Sequence, residues 1–314
     1  MPASPATTTI AFVGTGVMGA SMAGHLIDAG YRLVVFNRTK ARADALVERG
    51  AQWADSAGEA ASAADVVITM VGYPADVEAI YLAPGGIIER AREGALLVDM
   101  TTSSPTLAER IARAAAARDL VSLDAPVSGG DIGARNATLT IMVGGDEKGF
   151  SEVLPLFEVM GANVVLQGGP GAGQHTKMAN QVAIAGSMLA TAESLAYAEY
   201  AGLDPKRVLD SIGAGSAASW SLANLAPRIL NGDFAPGFYV KHFVKDMRIA
   251  LESAGAMGLE LPGLATAKRL YELLESSGGA DLGTQALWLL YASDAEKTRA
   301  GVVAGTRATT EPVA

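Results

Sequence analysis

Cysteine is absent from the 314 residues, which excludes disulfides, thiol nucleophiles and cysteine-ligated metal. Histidine is scarce: His25, His175 and His242 are scattered, so no imidazole cluster with metal-ligand spacing exists and no metal is expected. Basic charge is in deficit, with 24 Lys and Arg against 33 Asp and Glu and a net charge of -9. That balance disfavours nucleic acid and anionic membranes as partners. Long apolar runs are missing too. Half of the residues are hydrophobic, yet polar Gln, Asn, Ser or Thr intrude before any stretch reaches the roughly 20 residues of a membrane span. The start, MPASPATTT, lacks the basic and apolar regions of a secretory signal and leads straight into a strand. The expectation is a soluble, cytoplasmic protein with a small-molecule partner.

What is present is a pattern of two halves, which the length suits. In the first half, short apolar runs alternate with Ala-rich amphipathic stretches: residues 10–13, 32–36, 65–71, 95–100 and 121–127. Such alternation predicts βα units and a parallel sheet, an α/β Rossmann-type doubly wound domain. Two further strands, from Thr138 and Asn163, precede the Gly/Pro cluster QGGPGAG, the strongest boundary signal in the chain. Beyond it the periodicity is helical. We therefore expect a cofactor domain over 1–169 with residues 1–8 loose, an all-α domain over 170–298, and a loose tail over 299–314.

Gly14-Thr15-Gly16-Val17-Met18-Gly19 directly follows the first strand and opens a helix. In that context GxGxxG predicts a dinucleotide site: glycines permit a tight turn and a close backbone approach to a pyrophosphate at the helix N-terminus. Where an acidic residue about 20 positions on would grip an NAD ribose, the second strand ends Asn37-Arg38-Thr39. A guanidinium matches a phosphate better than a neutral hydroxyl, so Arg38, with Asn37 and Thr39, points to NADP(H) over NAD(H). Two further strand ends, Met70-Val71-Gly72-Tyr73-Pro74 and Asp99-Met100-Thr101-Thr102, are nicotinamide and ribose contacts or simple turn formers, the two readings being evenly weighted.

Lys177 is the only formally charged side chain between Glu158 and Glu193, at the start of a long apolar helical stretch. An ammonium there implies a wet cleft, a partner or a tuned pKa, or else a snorkelling lysine. Asn180, at i+3, shares its face. Ser128-Gly129-Gly130 can aim a hydroxyl and backbone N–H groups at a carboxylate, although Ser-Gly-Gly alone is more often a flexible turn. Trp220 reads as core rather than pocket wall.

The glycine loop at 14–19, the segment Asp124 to Gly130, the helix start Gly173 to Asn180 and Lys245-Asp246 together resemble the β-hydroxyacid dehydrogenase family, which includes 3-hydroxyisobutyrate dehydrogenase and several semialdehyde reductases. The resemblance spans nearly the whole chain. It implies Lys177 as the catalytic residue, Asn180 as its substrate-orienting neighbour, Ser128, Gly129 and Gly130 as the carboxylate cradle, and Thr102 and Lys245 as cofactor contacts. It also implies a homodimer or homotetramer. Gln181 stands where relatives often carry a second Asn. Imine reductases share this architecture but typically replace the lysine; a non-catalytic dinucleotide sensor would have lost the lysine or the cradle.

Overall fold

Val-, Ile- and Leu-rich runs favour pleated, buried backbone, and here they form β1 (Thr9–Val13), β2 (Arg32–Phe36), β4 (Val66–Thr69), β5 (Leu96–Asp99) and β6 (Val121–Asp124). With β3 (Gln52–Trp53), β7 (Val127–Ser128), β8 (Leu139–Gly144) and β9 (Gly161–Gly168) they make one sheet in the order β3-β2-β1-β4-β5-β6-β8-β7, β9 pairing with β8. The β3 to β6 portion is parallel, whereas β8 runs antiparallel to β6 and β7 and parallel to β9. Winding reverses between β1 and β4, the position where open α/β sheets leave a ligand crevice at their carboxyl ends. The computed structural model describes residues 1–308.

Both faces of the sheet are covered, which is why its central strands are apolar without alternation. Ile10, Phe12, Ile68 and Val98 face one core with α1 (Val17–Asp28), while Ala11, Val13, Val67 and Leu97 face another with α2 (Pro74–Leu82) and α3 (Pro105–Ala116). Helix α3 starts where Ser104 accepts from Leu107 N and Pro105 occupies the first turn, a position whose missing N–H costs nothing. Helix α4 (Glu147–Met160) returns to the first core through Val153, Leu156, Phe157 and Met160.

Contacts divide the chain into two units, residues 1–177 and residues from Met178 on. The division falls inside one helix, α5 (Ala172–Tyr200), later than the Gly/Pro cluster. The second unit is helical, as expected, with only an isolated bridge between Tyr239 and Gly283 among its described residues. Its core is built on α5, α6 (Val240–Ala256) and α7 (Pro262–Leu274), with Phe243 and Tyr271 rings 5.0 Å apart, edge to face.

Several details differ from expectation. Strand β3 is only two residues long and leaves no periodicity to read. The run 121–127 splits into β6 and β7 around Pro126, which has no N–H for a ladder. Residues 1–8 are tied down: the Met1 amino group meets Glu152 Oε1 at 2.9 Å and Ala3 N donates to Glu152 O. Residues 300–308 are held as well. Val302 is buried, and Val303 N donates to Ser277 O. The rest of the expected tail, 309–314, lies outside the described residues. Trp220 is 61% exposed rather than core.

Candidate active site

The glycine loop sits at the carboxyl end of β1, beside the winding reversal. Gly14 has φ +99°, and a Cβ there would lie 2.2 Å from Met70 O; one on Gly19 would lie 2.0 Å from Gly14 O. Only glycine lets loop, neighbouring strand and helix approach this closely. Gly16 differs, because its Cβ would meet nothing within 4 Å. It precedes α1, whose first turn has neither a side-chain cap nor an acidic residue. Thr15 N donates to Asn37 Oδ1 at 3.1 Å, and the buried Thr15 Oγ1 has no partner among the described residues. Open space, uncapped N–H groups and an orphan hydroxyl fit a dinucleotide pyrophosphate.

Asn37 braces this loop, since its Nδ2 also donates to Thr39 O at 2.8 Å. Arg38 extends into solvent, and Thr39 is exposed. The end of β2 carries no carboxylate, but the fold brings one from elsewhere: Asp76, in the first turn of α2, places Oδ1 3.3 Å from Arg38 Nη1.

Next to the loop, a buried network fixes the other two strand ends. Thr69 Oγ1 donates to Asp99 Oδ1 at 2.7 Å and lies 3.2 Å from the Tyr81 hydroxyl; Thr101 N also donates to Asp99 Oδ1. Burial pushes the Asp99 carboxyl up to about 6, against the hydrogen bonds from Thr69 and Thr101. Thr101 Oγ1 accepts from Val71 N at 3.0 Å. Thus Val71, Gly72 and Thr102 sit on backbone whose position is set by Asp99 and Thr101.

The start of α5 is locked to the same network. Gln174 is fully buried, donates through Nε2 to Thr101 O at 2.7 Å, and accepts at Oε1 from Ser103 N at 2.9 Å. Asp124, at the end of β6, accepts from Gly171 N at 2.8 Å and from Gln174 N at 2.7 Å. A carboxylate on a helix N-terminus is favourable, and burial raises its pKa while those N–H groups oppose the shift. A Cβ on Gly173 would lie 2.4 Å from Met142 O, so the helix can seat directly on the strands. Lys177, one turn beyond Gln174, is 6% exposed.

Ser128 closes β7 opposite Thr140. Gly129 (φ +128°) and Gly130 (φ +62°) follow in conformations that favour glycine, so the chain turns with its N–H groups unshielded by side chains.

In the second unit, Asn180 Nδ2 donates to Gln181 Oε1 at 2.7 Å, and Gln181 Nε2 donates to Asp246 Oδ2 at 2.6 Å. The other Asp246 oxygen is 3.1 Å from Lys245 Nζ. This links Asn180 and Lys245, two residues with no sequence proximity, through Gln181 and the buried Asp246. His242, one turn before Asp246 on α6, is held below its ordinary pKa by burial and then by Lys245.

Sequence reasoning proposed ligand contacts and gave no role to Asp99, Asp124, Gln174 and Asp246, whose hydrogen bonds hold the neighbouring segments. The available signal was polarity inside apolar strands and helices, at the ends of β5 and β6 and in the first turn of α5. Among the described residues no group of His, Cys, Asp and Glu could hold a metal ion, and no helix is long and apolar enough to cross a membrane.

Comparisons with known proteins agree with this geometry. Residues 9–169 match the family model described as the NAD-binding domain of 6-phosphogluconate dehydrogenase, and residues 171–291 match that described as NAD-binding of NADP-dependent 3-hydroxyisobutyrate dehydrogenase. A probable mitochondrial 3-hydroxyisobutyrate dehydrogenase-like protein of Arabidopsis thaliana is 52% identical over 91% of this chain and 86% of its own length. The 2-hydroxy-3-oxopropionate reductase of Escherichia coli is 40% identical over 88% and 95%. Among solved structures, Mycobacterium tuberculosis 3-hydroxyisobutyrate dehydrogenase with L-serine is 34% identical, covers 90% of this chain and 98% of its own, and superposes with a TM-score of 0.84. With both family models matched in sequence and nearly the full chain covered, this protein belongs to the β-hydroxyacid dehydrogenase family of NAD(P)-dependent oxidoreductases.

Proposed function

We propose that the protein interconverts a short 3-hydroxy (or 2-hydroxy) carboxylate and its semialdehyde or oxo acid, with NADP(H) preferred and Lys177 as general acid and base. The observation carrying this is the buried Lys177 side chain on a helix start whose first turn Asp124 holds through the N–H groups of Gly171 and Gln174. When bound, the cofactor supplies or accepts the hydride at the reacting carbon. Gly14, Thr15, Gly16, Val17, Met18 and Gly19 receive its pyrophosphate, Arg38 with Asn37 and Thr39 its adenosine ribose end, and Val71, Gly72, Thr102 and Lys245 the remainder.

In the reductive direction, Lys177 Nζ gives a proton to the developing alkoxide and stabilises its charge beforehand as an ammonium. In the oxidative direction neutral Lys177 removes the hydroxyl proton. Asn180 orients the substrate, while Ser128 Oγ and the N–H groups of Gly129 and Gly130 hold its carboxylate. The name of the Escherichia coli relative supports a small oxo acid, and that of the Arabidopsis thaliana relative supports a 3-hydroxy acid. The reading makes residues 1–169 the cofactor domain, which also lends the carboxylate cradle at Ser128–Gly130, and 170–298 the substrate and subunit domain, which lends Lys245 to the cofactor. A homodimer or homotetramer is supported by the exposed row Ala179, Ala183, Gly186, Ala190, Glu193 and Tyr197 along α5, small residues for most of its length.

The test is initial-rate nicotinamide oxidation on glyoxylate, tartronate semialdehyde, methylmalonate semialdehyde and succinic semialdehyde, with NADPH and NADH, beside Lys177→Ala. Turnover that favours NADPH and disappears in the variant is expected. NADPH binding without turnover of any aldehyde overturns the assignment.

A further inference from the structure

Asp76 is the carboxylate that pairs with Arg38, the residue expected to read the cofactor's 2′-phosphate. Its Oδ1 pairs with Arg38 Nη1 at 3.3 Å, and its Oδ2 lies 3.5 Å from where a Cβ on Gly72 would stand. The carboxylate therefore sits between the loop after β4 and the end of β2, the segment that takes the adenosine ribose end in the proposed function, on which this inference rests. Arg38 itself is 88% exposed in its side chain and Asp76 30%, so the pair is a surface ion pair that a ligand can displace.

We propose that Asp76 is a cofactor-specificity residue that competes with a 2′-phosphate for Arg38 and so weakens the discrimination of NADPH over NADH. Two effects have the same sign. A phosphate that forks onto Arg38 must first break the Arg38–Asp76 pair, which at such exposure is worth little but is not free. It must also approach a fixed negative charge, and like charges a few Å apart repel measurably even in high dielectric. A ribose 2′-hydroxyl meets neither penalty, and can instead donate to the carboxylate. Asp76 thus supplies, from the first turn of α2, the acidic group that the end of β2 lacks. The competing explanation is that Asp76 only favours the α2 N-terminus, where an acidic residue in the first turn is stabilising. That role predicts a change in stability and none in cofactor choice.

The experiment measures binding of 2′,5′-ADP and 5′-AMP to the full chain by calorimetry, for the wild type, Asp76→Asn, Asp76→Ser and Arg38→Ala, together with KM for NADPH and NADH. Removing the charge is expected to tighten 2′,5′-ADP and raise the NADPH/NADH ratio of kcat/KM by roughly three- to tenfold, with 5′-AMP unchanged or weaker and the gain shrinking in high salt. Serine retains a polar group and checks that the result follows charge rather than one rotamer. If Arg38→Ala weakens 2′,5′-ADP while both Asp76 variants leave it unchanged or weaker, the Asp76 inference fails and the Arg38 reading stands. If Arg38→Ala has no effect either, the reading of Arg38 as the phosphate contact fails with it.

Discussion

Gln181 donates a 2.6 Å hydrogen bond to Asp246, a carboxylate only 1% exposed, while accepting from Asn180. The residue at 181 thus joins α5 to α6 and sets where the Asn180 amide points. Its extra methylene relative to Asn is what gives it the reach.

Gln181→Leu should leave the Asp246 carboxylate short of a donor in a dry site, a change that costs about 1–3 kcal/mol. Gln181→Asn keeps the chemistry but shortens the arm, and should lose part of that. Urea denaturation measures the first effect. If Asn180 orients substrate, both variants also raise KM for the aldehyde more than KM for the nicotinamide. An unchanged midpoint and unchanged KM would show the contact to be incidental.

Asp99 gives a pH signature. Its folded pKa, about 6, stands above the ordinary aspartate value of 3.8, so the folded state binds this proton more tightly than the unfolded chain. The associated stability is fully present below pH 3.8 and is lost as pH rises through 6. At 1.36 kcal/mol per unit the span is up to about 3 kcal/mol. Asp99→Asn keeps the oxygen that accepts from Thr69 and Thr101 and removes the titration. The variant should therefore gain stability relative to the wild type between pH 4 and 7, measured as the difference in unfolding free energy across that range. A flat difference would show that Asp99 does not titrate there.

Much of this was legible in the sequence, for identifiable reasons. Gly14 and Gly19 could be read because a GxGxxG between strand and helix has one dominant structural cause, and the structure displays it as two Cβ positions occupied by carbonyl oxygens. Lys177 stood out because a lone charge in an apolar helix is conspicuous, and the structure buries it. Asp76 could not be read, because its partner Arg38 lies 38 residues away in the chain and the two meet only through the β1–β4 winding. Asp124 and Gln174 were visible as polar groups at the ends of apolar segments, but only the hydrogen bonds reveal which segment each clamps. The exposure of Trp220 likewise depends on tertiary placement that local composition does not encode.

Lys177→Ala should reduce kcat by roughly 10²–10⁴, the range for loss of a positioned proton donor, while leaving nicotinamide binding near its wild-type value. Lys177→Arg keeps a charge but not a group that can shed its proton near neutral pH, so it should recover little of the rate. Single-turnover kinetics with NADPH fluorescence reports binding and chemistry separately. Equal losses in binding and in rate would point to damage at the α5 start rather than to lost proton transfer.

The glycine loop separates fold from ligand in a single comparison. Gly14→Ala adds a Cβ 2.2 Å from Met70 O at a φ of +99°, so strand ends must move apart and the thermal midpoint should fall. Gly16→Ala adds a Cβ into open space at φ -73°, which any residue adopts, so the fold should keep its midpoint. That same open space is where the pyrophosphate must approach the backbone. Gly16→Ala should therefore fold as the wild type does and bind both NADPH and NADH at least about tenfold more weakly, the pyrophosphate being common to the two. Measured together, a normal midpoint with weakened binding of both nucleotides locates the pyrophosphate at Gly16. A normal midpoint with normal binding moves it elsewhere on the α1 N-terminus.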